Sequence, residues 1–536
     1  RAYMAALGWS MRRRFLVAVA GLIAVAASVP VFLAVPREFV PGDVDEAEFQ
    51  VRVTLPEGAS VAAVDDAMAA VEKEVRGVRG VRTTLSTSGG GFLGQVNSGS
   101  VYVRLAPHGE RLFSFGRLLR ETLRGRPGAA FQGNYSQAEV MTEIDRRLRR
   151  VPDVRAQVRN FPSFNIGGGS NDIDLVLKGP ELDKLYAFGE TLLRRAAEAG
   201  GFRGLDTSLR LDKPELRVRI DRERAADLGA RARDLGAALR LLVGGDEEVS
   251  RYRDPLTNED YDVRLRLETR DRDRAELLDR LLVPATEGML VELSAVASLE
   301  PAAAPSRIDR LDRQRTISVR GGVAPGYAQA DRLEVLQRLA AELNMPAAYT
   351  MAVTGRGREM ERTFREFAWA FLLSVIFMYL ILASQFESLL HPLTILLSLP
   401  LSLPFALVSL YGMGETLNLY SALGILVLFG VVKKNAILQI DHMNGLRARG
   451  MPRAEAILLA NRDRLRPILM TTFALVAGML PLAAGTGPGA EERRAVAVVV
   501  IGGQTLCLLL TLLATPVAYS FFDDVASWFR RRRAEG

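Results

Sequence analysis

Apolar runs interrupt an otherwise polar chain at five places: Phe15–Val35, Phe367–Ala383, Leu390–Leu410, Leu417–Ile440 and Pro467–Thr515. Each approaches the ~20 apolar residues needed to cross ~30 Å of hydrocarbon. The last run holds two helices, split by the polar loop Gly485–Arg494. The pattern predicts six membrane helices: one, then a water-soluble insert over Arg37–Arg365, then five. Within the insert, period-two alternation gives way to helical periodicity three times. Phe49–Val75 reads strand, loop PEGAS, helix; Thr316–Leu343 and Ile173–Gly179 with its following LDKLYAFGETLLRRAAEA repeat the design. Such units build ferredoxin-like βαβ subdomains. Between them Pro214–Ser306 is rich in charge, with a hairpin expected at SRYRDPLTNEDYDVRLRL, where Asp254–Pro255 and Asn258–Glu259 supply turn chemistry.

Charge changes the picture in two ways. A charged fraction of 24% over 536 residues is too high for a purely intramembrane protein. Its distribution also sets orientation: Arg12–Arg14, the arginines Arg447, Arg449, Arg453, Arg462, Arg464 and Arg466 filling the loop after the fourth helix, and Arg530–Arg533 fall on one side of a six-helix weave. That side is cytoplasmic by the positive-inside rule, and the insert is periplasmic. The net charge of +7 follows from this topology and calls for no nucleic acid. The only cysteine, Cys507, lies in the last apolar helix, so no disulfide forms within the chain. His108, His391 and His442 are scattered and make no ligand set. No nucleophile–base set or phosphate loop points to an enzyme. The chain starts at Arg1 rather than Met and reads as a piece of something longer.

The chemistry that stands out is Lys433 and Lys434, inside the Leu417–His442 run. An ionised lysine at the centre of a membrane helix costs ~2.5–3.5 kcal/mol on insertion scales, so a carboxylate partner is expected. Adjacent helical positions are ~100° apart, so only one of the two can face such a partner. The glycine-rich stretch Gly89–Gly99 lacks a GK[ST] ending and reads as a hairpin loop or an aromatic-bearing gate, with Phe92 its large apolar side chain.

The runs GVVKKNAIL, RLRPILMT (Arg464–Thr471), GTGPGAE and VVVIGGQTLCLLLTLLATPVAY resemble the C-terminal half of resistance–nodulation–division (RND) efflux pumps, hydrophobe/amphiphile branch. PREFVPGDVDEAEFQVRVTLPEGAS, PELRVRIDRERAADLG and SQFESLLHPLTILLSLPL fit in the same order, so the resemblance covers nearly the whole chain. It implies a membrane helical bundle carrying family helices seven to twelve and a periplasmic α+β insert of two porter subdomains and a docking subdomain. The implied boundaries are 1–36 for the first membrane helix, 37–172 for the first porter subdomain and 173–213 with 308–362 for the second. Residues 214–307 would be the docking subdomain, and 363–536 the remaining helices and tail.

The resemblance further implies a homotrimeric, proton-driven inner-membrane exporter of hydrophobic or amphiphilic compounds, with no cofactor beyond the proton motive force. Its partners would be the N-terminal half of the pump, a periplasmic adaptor (membrane fusion) protein and an outer-membrane channel. The KNAIL motif assigns the proton-relay lysine to Lys434, which pairs in the family with aspartates on a helix this chain lacks. Asn435 bonds across helices or simply packs. Arg464 and Thr471 match the cytoplasmic end of the relay; Arg464 also fits the positive-inside cluster, and Thr471 could bond back to its own helix. Gly91, Phe92, Leu93 and Gly94 match the switch loop between substrate pockets. Lys433 departs from the small residue common in the family, and Asp441 is either a solvated interfacial residue or part of proton exit. Two other readings stay open. A heavy-metal exporter would want soft ligands converging in the porter cleft, whereas Met141, Met289, Met345, Met351 and Met360 are spread along the sequence. A half-length partner protein that moves nothing is the third.

Overall fold

The computed structural model describes residues 1–535 except 43, 90–95, 127, 129–130, 132, 162–170, 273 and 486. The chain forms two compact units, one of Arg1–Leu55, Ala59–Ser208 and Asp309–Gly536, the other of Pro56–Gly58 and Leu209–Ile308.

In the first unit, β1 (Glu48–Thr54), α1 (Val61–Arg76), β2 (Val81–Ser88), β3 (Ser98–Leu105), α2 (Gln137–Leu148) and β4 (Arg155–Asn160) follow one another. The sheet order is β2-β3-β1-β4, antiparallel throughout. Alternation on β1 turns Phe49, Val51 and Val53 inward, onto Val64, Met68 and Val71 of α1 and Met141 and Ile144 of α2. Serines start both helices: Ser60 accepts from the Ala63 amide at 3.2 Å and Ser136 from the Glu139 amide at 3.2 Å, each satisfying a donor the helix leaves open.

The plan then repeats with β5 (Ile173–Gly179), α3 (Leu182–Ala199), β6 (Phe202–Thr207), β7 (Asp309–Leu311), β8 (Gln314–Val323), α4 (Gln329–Ala341) and β9 (Thr350–Val353). Here β8 lies between β6 and β5, and β9 flanks β5, with β7 folded back on β8. Both sheets therefore have the ferredoxin-like order. The three strand–helix units expected from periodicity are the first strand and helix of each subdomain and the β8–α4 pair.

The second unit contains the antiparallel pairs Lys213–Ile220 with Ala297–Ala304, Asp246–Arg253 with Asp260–Leu265, and Leu282–Pro284 with Leu290–Glu292. Leu235, Val283, Leu293 and Val296 are its core. The expected hairpin is the second pair. At its turn the Asp254 carboxylate accepts from the Leu256 amide at 2.9 Å, and Asn258 sits at φ 58°.

Among the described residues, six helices are long and apolar enough to cross a membrane. The first spans Arg14–Ala34. The others are α5 (Gly355–Phe386), α6 (Leu390–Leu396) continued by α7 (Ser398–Met413), α8 (Leu419–Ala448), α9 (Arg453–Ala483) and α10 (Ala490–Glu535), which is apolar to Val525. Several run past the apolar runs. α5 begins at Gly355 rather than near Phe367, and α8 continues past His442 to Ala448. The arginines assigned to a loop after α8 are a correction: Arg447 stands on α8, Arg453, Arg462, Arg464 and Arg466 stand on α9, and only 449–452 separate the helices. Hydropathy marks the part of a helix in lipid, whereas the backbone ladder continues into water at no apolar requirement.

The bundle packs around α8 and α10, with Leu407, Leu428, Val432, Ile440, Met443 and Val499 buried between helices. Gly503 on α10 permits the close approach, since a Cβ there would meet Leu428 Cδ2 at 2.3 Å. The chain entering the soluble region is stitched to the start of α8: Leu417 N donates to Pro36 O at 2.8 Å and Glu38 N to Leu417 O at 3.1 Å. Asn418, fully buried, caps α8 and forms a capping box with Ser421.

Candidate functional site

α8 presents two unlike faces. Ser421, Ile425, Leu428, Val432, Asn435, Gln439 and Met443 are buried against other helices. Leu423, Val427, Gly430, Lys434, Asp441 and Gly445 recur at helical spacing and are exposed. Lys434 therefore sits on a stripe that none of the described residues covers, fourteen residues before the helix ends at Ala448, about 21 Å along the axis. That distance is beyond the reach of a snorkelling side chain. The turn of one residue puts Lys433 elsewhere, partly buried. Neither lysine has a hydrogen bond or ion pair among the described residues.

The other relay candidates are not gathered around Lys434. Asn435 is 6% exposed, on the packed face. Arg464 lies on α9 with its Nε buried and without a partner among the described residues. Thr471 is exposed and donates to Ile468 O at 3.1 Å on its own helix. Its neighbour Thr472 instead faces the bundle, 3.4 Å from Gln504 Nε2. Asp441 lines an open cleft of about 540 Å³ with Gln385, Glu387 and Arg449. Gly91, Phe92, Leu93 and Gly94 lie outside the described residues; Gly89 N, just before them, donates to Ser98 O at 2.8 Å and closes the β2–β3 hairpin.

Two ionic clusters went unread in the sequence. At the end of the bundle bearing the basic residues, Asp523 accepts from Arg447 at 2.9 Å and Arg453 at 3.2 Å, and Arg14 donates to Asp524 at 2.8 Å. Tyr519 donates to Asn444 at 2.7 Å, accepts from Arg447 at 3.0 Å and stacks on His391. The acidic pair at the end of the last apolar run, opposite so many arginines, was the available signal. The second cluster is in the first ferredoxin-like subdomain. Arg111, 0% exposed, donates Nη1 to Asp45 Oδ2 at 2.6 Å, pairs Nη2 with Oδ1, and donates Nε to Ala106 O at 2.9 Å. His108 Nε2 lies 3.0 Å from Asp45 Oδ1. Burial pushes the Asp45 carboxyl up, but the bonds from His108, Arg111 and the Gln137 amide outweigh it and hold it well below the usual carboxylate range. The same contact with Asp45 raises His108 above its ordinary value. Asp45 also reaches the start of α10: its N donates to Glu491 Oε2 at 3.4 Å, and its O accepts from Gly489 N at 3.4 Å.

Paired ferredoxin-like subdomains strung between apolar helices define a multi-pass membrane protein with a large soluble region. Comparison with known proteins makes this specific. The description of the AcrB/AcrD/AcrF family matches residues 1–523, and the chain belongs to that family of RND proteins. It is a multi-pass inner-membrane protein whose soluble region is periplasmic. An uncharacterized transporter of Haemophilus influenzae is 30% identical over 393 residues, 72% of this chain and 38% of that protein. Multidrug resistance protein MdtC of Proteus mirabilis is 29% identical over 507 residues, 94% of this chain and 46% of its own length. MdtC of Cronobacter sakazakii is 27% identical over 533 residues, covering 99% and 49%. A crystal structure of a heavy metal efflux pump superposes with a TM-score of 0.81 at 23% identity, over 98% of this chain and 52% of that one, a likeness of fold. The chain thus spans about half the length of the relatives it matches.

Proposed function

We propose that this chain is the C-terminal half of a proton-driven pump exporting hydrophobic or amphiphilic compounds, with Lys434 as its proton-coupled residue. The observation that carries the reading is the uncovered stripe of α8 with Lys434 midway along it. A cation facing lipid at that depth costs ~2.5–3.5 kcal/mol, so the stripe calls for a carboxylate-bearing element from the N-terminal half. Such a carboxylate holds Lys434 while ionised and releases it when protonated, and release lets helices shift. Asn435, Arg464 and Thr471 are the further relay residues, and Gly91–Gly94 with Phe92 are the gate in the substrate path. Lys433 stays a tolerated charge in a hydrated crevice.

For the substrate class, support comes from a cleft of about 850 Å³ in the first unit. Phe32, Phe364, Phe371 and Leu403 line it beside Arg37 and Glu361, an apolar wall with a charged margin that suits an amphiphile. The assembly we infer is a homotrimer engaging a periplasmic adaptor and an outer-membrane channel. In the complete pump, Lys434→Ala should abolish resistance to dyes and solvents at unchanged expression. Resistance at the wild-type level would sink the proposal, and resistance to copper or silver alone would move it to the metal-exporting branch.

A further inference from the structure

Inside the helical bundle, six polar side chains stand where a membrane span favours apolar ones. They are Asn435 and Gln439 on α8, Thr472 on α9, and Gln504, Thr511 and Thr515 on α10, each at most 6% exposed. A polar group held away from water is costly without hydrogen bonds. Helices in lipid use such groups as glue when they bond across an interface. Among these six, one bond of that kind forms, from Gln504 Nε2 to Thr472 Oγ1 at 3.4 Å. Gln504 Oε1 is buried and accepts from nothing among the described residues. Asn435 and Gln439 make no hydrogen bond among those residues, and Thr511 donates to Leu508 O at 3.0 Å on its own helix.

The six groups are also aligned. Gly503 lies against Leu428, and Tyr519 donates to Asn444 at 2.7 Å. The two pairs have the same separation in sequence, so α8 and α10 run parallel and in register between them. Asn435 and Gln439 therefore come level with Leu510 and Ala514, one residue before Thr511 and Thr515. Along α8 the polar steps from Asn435 to Gln439 and on to Asn444 are ~6 and ~7.5 Å, lengths that a bridging water spans. Asn435 is the neighbour of Lys434, and past Asn444 the file ends in the cluster of Arg447, Tyr519 and Asp523. Gln504 lies on the other side of the Lys434 level, ~7.5 Å nearer the start of α10.

We propose, on the proton-driven reading above, that this file conducts the proton through waters held by its amides and hydroxyls. Gln504 and Thr472 hold water on the entry side of the Lys434 level; Asn435, Gln439, Thr511 and Thr515 hold it on the cytoplasmic side. The proton leaves the carboxylate facing Lys434, and each water takes one proton from its neighbour and passes one on, so no bond of the protein is made or broken. Amides and hydroxyls both donate and accept without taking a charge, which orients water without trapping the proton. Gln439 and Gln504 are positioning residues in this scheme.

The test uses the complete pump in liposomes carrying a pH gradient, with ethidium export followed in H₂O and D₂O. Gln439→Leu replaces an amide without a partner by an apolar group of similar size, so the unfolding midpoint should hold or rise. Export should fall at least fivefold, with a solvent isotope effect larger than that of the wild type. Gln439→Asn, which keeps an amide, should retain at least half of wild-type export. Gln504→Leu should repeat the Gln439→Leu pattern on the entry side. A lower midpoint in Gln439→Leu, or a fall in export with the isotope effect unchanged, makes the residue helix glue and overturns the proposal. With Lys434→Ala run alongside, loss of export in that variant and wild-type export in Gln439→Leu sinks the file alone. Wild-type export by Lys434→Ala, or no ethidium export by the wild type, ends the export reading and the file with it.

Discussion

Lys434 and Arg111 are both cations removed from bulk water, and the protein treats them oppositely. Arg111 is enclosed within the chain, its fork filled by Asp45 and its Nε by a carbonyl, with His108 on the same carboxylate. Lys434 has no partner among the described residues, on a helix face that they leave open. A buried pair that is complete fixes geometry. A charge whose partner comes from elsewhere can be held and let go. The Arg111 cluster is a joint, tying the segment before β1 to the start of α10; under the proposed function Lys434 is a moving part.

Five substitutions sharpen that contrast, in descending size of effect. Lys434→Ala should eliminate export in the complete pump, whereas Lys433→Ala should leave resistance within about twofold, if helix geometry gives them separate surroundings. Minimum inhibitory concentrations check both. Arg111→Met should destabilise the subdomain by up to ~3–5 kcal/mol, because buried Asp45 loses its two-pronged partner and keeps only His108 and backbone amides; a thermal shift no greater than that of a surface arginine variant would contradict the joint. Asn418→Ala removes the α8 cap and should cost ~1 kcal/mol, seen in the unfolding midpoint with resistance retained. The smallest effect is a pH slope. His108 binds its proton more tightly folded than unfolded. Its contribution is therefore full below an unfolded value of about 6.5 and is lost as pH rises through the higher folded value. Stability should fall over that interval in the wild type, and His108→Gln should flatten the fall.

Much of the architecture was legible. The five apolar runs and the recurrence of alternation followed by helical period reflect local rules, which any stretch obeys wherever its partners are. Helix ends were less so, because Asn444 and Arg447 at the end of α8 are polar yet helical. Arg464 and Thr471 share a motif, but the structure turns Thr471 outward and Thr472 inward, a difference of one helical step that no motif states. Asp45 and Arg111 are far apart in sequence, and neither has a local signature.

By itself the sequence determined which segments enter the membrane, the side on which the basic residues lie, the strand–helix units, and that a lysine stands in mid-helix. Only the tertiary structure decided that this lysine is on an uncovered face, and that Asp45, His108 and Arg111 converge. Periodicity is a property of neighbours along the chain. Burial and charge pairing depend on which distant segment packs alongside.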